Sequence, residues 1–308
     1  MSKYRGALAA GFAALALVVG VGGAAVAAPA PTAPAAKAGS LPESCMVTIG
    51  ETTRESYFYE NKVSLWSPVA LPKGGARFAE FRSPRDDESI HYLAVTSAGL
   101  VYDSSVSVGV FGDWGNLKML DRRLEPAGST IRGIVDLEVG TEELDDGERR
   151  AAKTAYAVTA DGKLHAIPMS FVKGRVRLGA PVTLTAKGLS GLRGIESQGG
   201  YWANGKVNKH LLLGHTKDGR LVELTVTRGA KKPTLSYKVV AKGWQNVSAL
   251  ALGWCHDENL KATTVIVSVH SDKRVTARLD PVWNDASLKG AKTIQLAPWK
   301  HGSPSNLF

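Results

Sequence analysis

The stretch AYAVTADGKLHAIPM, residues 155–169, decides the fold of this chain. Two short apolar runs flank Asp161-Gly162, and this pattern predicts a β-hairpin, because the tight turn needs a positive φ that glycine adopts without steric cost. Related stretches begin at Leu93, Leu211 and Thr264. A hairpin that recurs along a chain indicates a repeat architecture.

Each hairpin is followed by a third apolar segment that ends at a glycine or a similar break. These breaks fall 54 to 60 residues apart, at Gly74, Gly128, Gly188, Gly243 and Lys300. A short segment of small and aliphatic residues follows each of the four glycines. Each unit therefore holds four strands, which is typical of a β-propeller blade.

Four complete units occupy residues 75–128, 129–188, 189–243 and 244–300. Residues 41–74 contain a hairpin and an outer strand without an inner strand, and residues 301–308 have the size of an inner strand. Together they predict a split blade that closes the ring and pairs otherwise open sheet edges. The sequence therefore predicts an all-β, five-bladed propeller of four-stranded antiparallel blades. Two packed β-sandwich domains are the alternative, and they do not account for the complementary chain ends.

The N-terminal residues have the pattern of a secretory signal peptide. Lys3 and Arg5 precede an apolar run, and Ala25-Val26-Ala27 forms a small-x-small cleavage site. We expect a signal peptide over residues 1–27, a Pro/Ala linker over 28–40 and the folded domain over 41–308. The alternative is an uncleaved membrane anchor. With cleavage, the protein is predicted to be secreted, extracellular and free of the membrane.

The chain is basic, with a net charge of +10 that becomes +8 without Lys3 and Arg5. This charge favours a glycan or an anionic cell-surface polymer as partner, although solubility alone also explains it. The basic residues are scattered without interleaved aromatics, so nucleic-acid binding is not expected. We expect a monomer.

The two cysteines, Cys45 and Cys255, suit a single disulfide in an oxidising compartment. In a ring of blades they lie on neighbouring units, so the bond would link these two units where the ring closes. Two free buried thiols are the alternative.

Hairpins of the type AVTADGKLHAI, in five units with a split closing blade, resemble the tachylectin-2-like propellers. That family consists of five-bladed sugar-binding proteins in which each blade can contribute an equivalent site for N-acetylated hexosamines. The repeats here are longer, and Asp-Gly occurs only at Asp161-Gly162 and Asp218-Gly219, whereas the fourth unit has Asp272-Lys273. This divergence argues against five equal sites.

The longer loops before the hairpins are the expected location of function, because strands are committed to packing. Tyr201 and Trp202 fall in the loop predicted over residues 199–210, where an aromatic ring could stack on a sugar or pack on the next blade. Trp114 is a similar candidate. Asp145 and Asp146 belong to an acidic loop suited to Ca²⁺, to acid–base cleavage of a glycoside, or to solvation alone.

Arg132-Gly133 and Arg193-Gly194 are predicted to occupy matching positions of two inner strands. The two arginines could form an anion site in the central channel or pair with local acids. The spacing of histidines and cysteines predicts no metal site, and no serine nucleophile motif is present. No catalytic residue is therefore assigned, and Ca²⁺ is the one cofactor left open.

The leading hypothesis is a secreted, non-enzymatic, lectin-like protein that binds a glycan or cell-wall polymer. The first alternative is a secreted propeller hydrolase or lyase that acts on a polysaccharide. The second is an extracellular protein–protein interaction module.

Overall fold

The structure is a computed structural model. It describes residues 41, 45–51, 55–59, 62–66, 78–82, 89–96, 99–110, 117–128, 131–140, 142–143, 149–150, 154–173, 175–203, 206–228, 232–256, 262–280, 288–300 and 304–305.

The regular structure within these residues is entirely β. In chain order the strands are β1 (Cys45–Glu51), β2 (Glu55–Tyr59), β3 (Lys62–Trp66), β4 (Phe78–Arg82), β5 (Ser89–Val95), β6 (Val101–Val110), β7 (Leu117–Pro126), β8 (Ile134–Val139), β9 (Glu142–Glu143), β10 (Arg149–Arg150), β11 (Thr154–Thr159), β12 (Leu164–Val172), β13 (Arg175–Leu178), β14 (Val182–Leu184), β15 (Leu192–Ala203), β16 (Lys206–Thr216), β17 (Arg220–Thr227), β18 (Thr234–Lys242), β19 (Val247–His256), β20 (Ala262–His270), β21 (Val275–Asp280), β22 (Lys292–Leu296) and β23 (Pro304–Ser305).

These strands form four antiparallel sheets and a two-stranded ribbon, β9–β10. The first sheet is β4-β5-β6-β7, and the second is β8-β11-β12-β13 with β14 also paired to β12. The third sheet is β15-β16-β17-β18, and the fourth begins with β19-β20-β21-β22. The predicted all-β architecture of repeated antiparallel units is confirmed.

The sheets follow one another in a propeller-like arrangement, with the first strands of consecutive sheets adjacent: β4 beside β8, β8 beside β15, and β15 beside β19. Carboxylates connect one sheet to the backbone of the next. Asp136 Oδ2 accepts a hydrogen bond from the Ile195 N–H at 2.7 Å, and Asp103 Oδ2 accepts one from the Val176 N–H at 2.9 Å.

The fourth sheet continues through β1 to β2 and β3, so the prediction of five separate blades is not confirmed. The first half of β1 pairs with β19, with Cys45 opposite Cys255, and its second half pairs with β23, with Gly50 opposite Ser305. Both chain ends therefore join one hydrogen-bonded sheet with the last unit. The physical reason is the length of β1, which reaches two partners on the same side.

The core lies between the sheets. Leu212 packs in the apolar cluster between the second and third sheets, whereas its neighbour Leu213 packs in the cluster between the third and fourth. Alternation along a strand sends successive side chains to opposite faces, so the second, third and fourth sheets each contribute to two clusters.

Cys45 and Cys255 form a disulfide, as the sequence predicted, across the β1–β19 pair. Such bonds persist in oxidising compartments, which indicates an extracytoplasmic protein. None of the residues that the structure describes belongs to an apolar helix long enough to cross a membrane.

We expect the Cys45→Ala/Cys255→Ala double variant to be less stable than the unaltered chain by up to about 5 kcal/mol, because the bond closes a loop of 210 residues in the unfolded state. Urea unfolding followed by circular dichroism measures this difference. Equal midpoints and slopes for the two chains would contradict the prediction.

Two turn glycines form a matched pair for testing how tightly consecutive sheets pack. Gly162 and Gly243 have φ of +77° and +89°, but a Cβ on Gly162 would lie 2.5 Å from the Gly191 Cα, whereas a Cβ on Gly243 would meet nothing within 4 Å. Gly243→Ala should cost about 1 kcal/mol for the positive φ alone. Gly162→Ala should cost at least about 1 kcal/mol more, because the backbone of the next sheet must move. Similar unfolding midpoints for the two variants would argue against this tight contact.

Candidate functional site

The antiparallel topology divides the predicted site residues between two ends of the sheets. At one end, here called the turn end, tight turns join the second strand of each sheet to the third, as at residues 160–163. The opposite end, the loop end, carries the connections from the first strand to the second. Arg132 precedes β8 and Arg193 lies at the start of β15, so both arginines are at the turn end. Tyr201 and Trp202 lie towards the loop end of β15. The arginines and the two aromatic residues cannot share one site.

The two arginines do not occupy equivalent positions, so that prediction is wrong. The inner strands β8, β15 and β19 each have a bulge near their start in which one residue has no cross-strand partner, and these residues are Val135, Arg193 and Ser248. Arg132 lies before the equivalent bulge in its own sheet. Both arginines are exposed. Their role in anion binding stays a prediction.

Tyr201 and Trp202 lie in a strand rather than in the loop predicted over residues 199–210. β15 and β16 are paired as far as Ala203 opposite Lys206, with a register shift between Tyr201 and Trp202. The sequence signal for this hairpin is Asn204-Gly205, the dipeptide most typical of a two-residue β-turn. The structure describes only the backbone of the two aromatic residues, so their contact with a sugar stays a prediction.

Trp114, Asp145 and Asp146 lie outside the described residues. The strands that flank Asp145 and Asp146 are β9 and β10, in which Glu143 is opposite Arg149. Within the described part of the chain, no group of three or more His, Cys, Asp or Glu side chains is placed to hold a metal ion.

A pocket of about 260 Å³ opens at the turn end between the second and third sheets. Its walls are the turn 161–164, the end of β14 with residues 185–186, and the connection 189–192 that leads into the third sheet. The fold places these segments together because Gly162 O accepts a hydrogen bond from the Leu192 N–H at 3.3 Å.

The rim of the pocket carries a charged pair. Lys163 Nζ lies 2.6 Å from Asp161 Oδ2, with both side chains more than half exposed, and the Thr159 hydroxyl donates to Asp161 Oδ1 at 2.6 Å. Lys163 and then Thr159 lower the pKa of Asp161 to about 2. Asp161 is therefore an ionised hydrogen-bond acceptor at any physiological pH.

The floor of the pocket is apolar. Leu164, Leu184 and Leu192 line it, and each is also buried in the core between the second and third sheets. Ser190 and Thr185 add hydroxyl groups to the walls. A rim that forms hydrogen bonds above a leucine floor is the usual composition of a small-molecule site.

A second group of chemically notable residues lies in the interior, and the sequence interpretation missed it. Asp136 and Glu138 in β8 and Glu196 in β15 are buried carboxyl groups on adjacent inner strands. Burial, reinforced by Asp136, raises the pKa of Glu138, and burial reinforced by Glu138 raises the pKa of Glu196. The available signal was the pair of acids in the otherwise aliphatic strand IVDLEV.

His210 is buried beside Tyr156, and Tyr156 is opposite Glu138 in the sheet register. The Tyr156 hydroxyl and His210 Nδ1 are 2.5 Å apart and share a hydrogen bond. Gly140 allows the end of β8 to pass this ring, because a Cβ there would lie 2.5 Å from His210 Nδ1. Burial, with a smaller effect from Arg228, lowers the pKa of His210 to about 4. Burial lowers the pKa of His215 to about 4 as well.

The comparisons with known proteins do not identify a family. No family model and no curated protein matches this chain. Among solved structures, the chain is similar to the periplasmic gluconolactonase PpgL of Pseudomonas aeruginosa, with 10% identity, a TM-score of 0.37, and coverage of 85% of this chain and 98% of that one. It is also similar to a tryptophan-to-alanine mutant of the Synechocystis apocarotenoid oxygenase, with 10% identity, a TM-score of 0.31, and coverage of 85% and 71%. Both TM-scores are too low to support a conclusion about fold or function.

The two buried histidines should make the folded protein sensitive to acid. The unfolded chain binds a proton at each histidine near pH 6.5, whereas the folded chain does so only near pH 4. The free energy of unfolding should therefore fall as the pH drops from about 6.5 to about 4, by about 3 kcal/mol for each histidine. Glu138 and Glu196 act in the opposite direction, because their raised pKa values favour the folded state at low pH and lose that effect as pH rises above 4.5.

Urea unfolding of the unaltered chain and of His210→Gln between pH 4.5 and pH 8 tests this prediction. Below pH 6.5, the free energy of unfolding should depend less steeply on pH in the variant than in the unaltered chain. The two slopes should differ by up to about 1.4 kcal/mol per pH unit, which corresponds to one proton. Parallel pH profiles would show that His210 does not titrate abnormally.

Proposed function

We propose that this protein is a secreted, non-enzymatic, lectin-like protein that recognises a glycan or cell-wall polymer, and that the pocket at the turn end is its binding site. The observation that carries the proposal is the combination of a hydrogen-bonding rim, made by Asp161, Lys163 and Ser190, with a leucine floor in an open space of about 260 Å³. A sugar ring presents hydroxyl groups at its edge and C–H groups on its faces. The pocket is complementary to both.

The state of Asp161 supports binding rather than hydrolysis. It is the one carboxyl group among the residues that line the pocket, and its pKa is lowered to about 2. Glycoside cleavage commonly needs two carboxyl groups, one of them with a raised pKa so that it can protonate the leaving oxygen. Asp161 can accept hydrogen bonds from a ligand but cannot serve as that acid.

The disulfide and the N-terminal sequence support secretion. Cys45 and Cys255 are bonded, which suits an oxidising compartment, and residues 1–27 have the composition of a removable signal peptide.

The proposal includes a five-unit architecture related to the tachylectin-2-like propellers. In it, β1 to β3 and the C-terminal β23 make up the closing unit. The meander β1-β2-β3 and the pairing of β23 with β1 support this assignment.

Asp161→Asn should weaken binding to a glycan about tenfold or more, because the amide keeps the shape of the side chain but removes a charged acceptor. Binding is first sought on a glycan array and with cell-wall preparations, and is then measured by isothermal titration calorimetry. The matched control is Asp272→Asn, since Asp272 makes the same kind of turn and pairs with Arg274 in the fourth sheet. The control should bind like the unaltered chain.

The alternatives give different results in the same assays. Loss of binding in Trp202→Ala but not in Asp161→Asn would place the site at the loop end. Release of a product would indicate a hydrolase or lyase. Absence of binding to every glycan and cell-wall preparation, together with capture of a protein from the secreted fraction, would replace the proposal with a protein–protein module.

A further inference from the structure

The junctions between consecutive sheets follow a common pattern at the turn end. At the junction that leaves the third sheet, Gly243 has a positive φ and the next residue, Trp244, donates its N–H to Gly219 O at 2.9 Å. At the junction that leaves the fourth sheet, Trp299 donates its N–H to Lys273 O at 2.8 Å. Gly219 and Lys273 are equivalent turn residues, both with positive φ. A tryptophan thus closes each of these two junctions.

The pocket lies where this pattern changes. Gly188 has a positive φ, as Gly243 does, but the residue that follows it is Leu189. The Leu189 N–H donates to Ala186 O at 3.1 Å instead of to the turn, and the turn carbonyl of Gly162 takes the Leu192 N–H at 3.3 Å. The connection therefore runs away from the turn before it returns to it.

The side chains at these junctions differ in size in the same way as the hydrogen bonds differ. Trp244 and Trp299 are each only 3% exposed, so their indole rings are packed at the junctions that they close. Leu189 is partly exposed and lines the open pocket. The shorter side chain and the changed hydrogen bond together account for the space at this junction. The junction between the first and second sheets includes residues 129–130, which lie outside the described part of the chain.

The charge at the rim restricts the ligand. Asp161 and Lys163 neutralise one another at 2.6 Å, so a ligand of either charge would meet one attractive and one repulsive group. An uncharged polyol can instead donate a hydroxyl to Asp161 and accept from Lys163 without breaking the neutrality of the rim. The basic charge of the whole chain is thus not what selects a ligand here.

Building on the proposed function, we infer that this pocket takes a single uncharged sugar unit, and that it is open because Leu189 stands where the junctions leaving the third and fourth sheets have tryptophan. Those two junctions are filled by a side chain, while their turns keep a positive-φ residue, as the turn at the pocket does. Leu189 is the residue that determines where a sugar binds.

Leu189→Trp should close the pocket and weaken binding of a neutral oligosaccharide more than about tenfold. The matched control is Val239→Trp, which adds the same ring at an exposed position of β18 outside the pocket. Calorimetry on the unaltered chain should show that the affinity for the neutral ligand changes little between low and high salt. Circular dichroism and thermal melting establish that both variants fold.

Unchanged binding in folded Leu189→Trp would overturn the inference. Preference for a uronate polymer with strong salt dependence would overturn the part that concerns charge. In both cases the protein would still bind a saccharide, but unchanged binding in Leu189→Trp would move the site away from this pocket. If Leu189→Trp fails to fold, the smaller change Leu189→Phe and the salt dependence of the unaltered chain decide the matter. Absence of any saccharide binding would instead refute the proposed function and this inference with it.

Discussion

The hydrogen bond from the Ile195 N–H to the Asp136 carboxylate joins the first strands of two consecutive sheets, and much of the structure depends on contacts of this type. A sheet with a hydrogen-bonded edge and an apolar face must be covered by its neighbour. Here buried carboxyl groups help hold that neighbour, since Asp103 accepts the Val176 N–H at the preceding junction. An unpaired acceptor or donor at these positions would cost the desolvation energy of the group. These hydrogen bonds therefore fix the position of one sheet against the next, in addition to the apolar packing between the two sheets.

This manner of packing explains why the interior is rich in ionisable groups. Burial raises the pKa of Glu138 and Glu196 and lowers that of His210, so it favours the uncharged form of each group. These groups lie inside the contacts between sheets, whereas the proposed binding site lies at the surface of one such contact and uses an acid that stays ionised.

The proposed site results from the way in which the chain passes from one sheet to the next. A tight turn offers its carbonyl to the incoming connection, and the side chain beside that contact either fills the junction or leaves it open. Trp244 fills one junction, and Leu189 leaves another open. In this proposal, a single side chain decides whether a junction is filled or open, and the strands need not change.

The sequence by itself determined the local elements, namely the hairpins at Asp161-Gly162 and Asp218-Gly219 and the four-stranded units, because turn chemistry and alternation act over a few residues. It also predicted the pairing of Cys45 with Cys255, because the chain has only these two cysteines. Only the tertiary structure decided the rest. It merged β1 with β19, separated Arg193 from Tyr201 by placing them at opposite ends, and brought the 161–164 turn against residues 189–192. These outcomes depend on register and on contacts between distant segments. Such contacts leave no periodic trace in the sequence that would have revealed them.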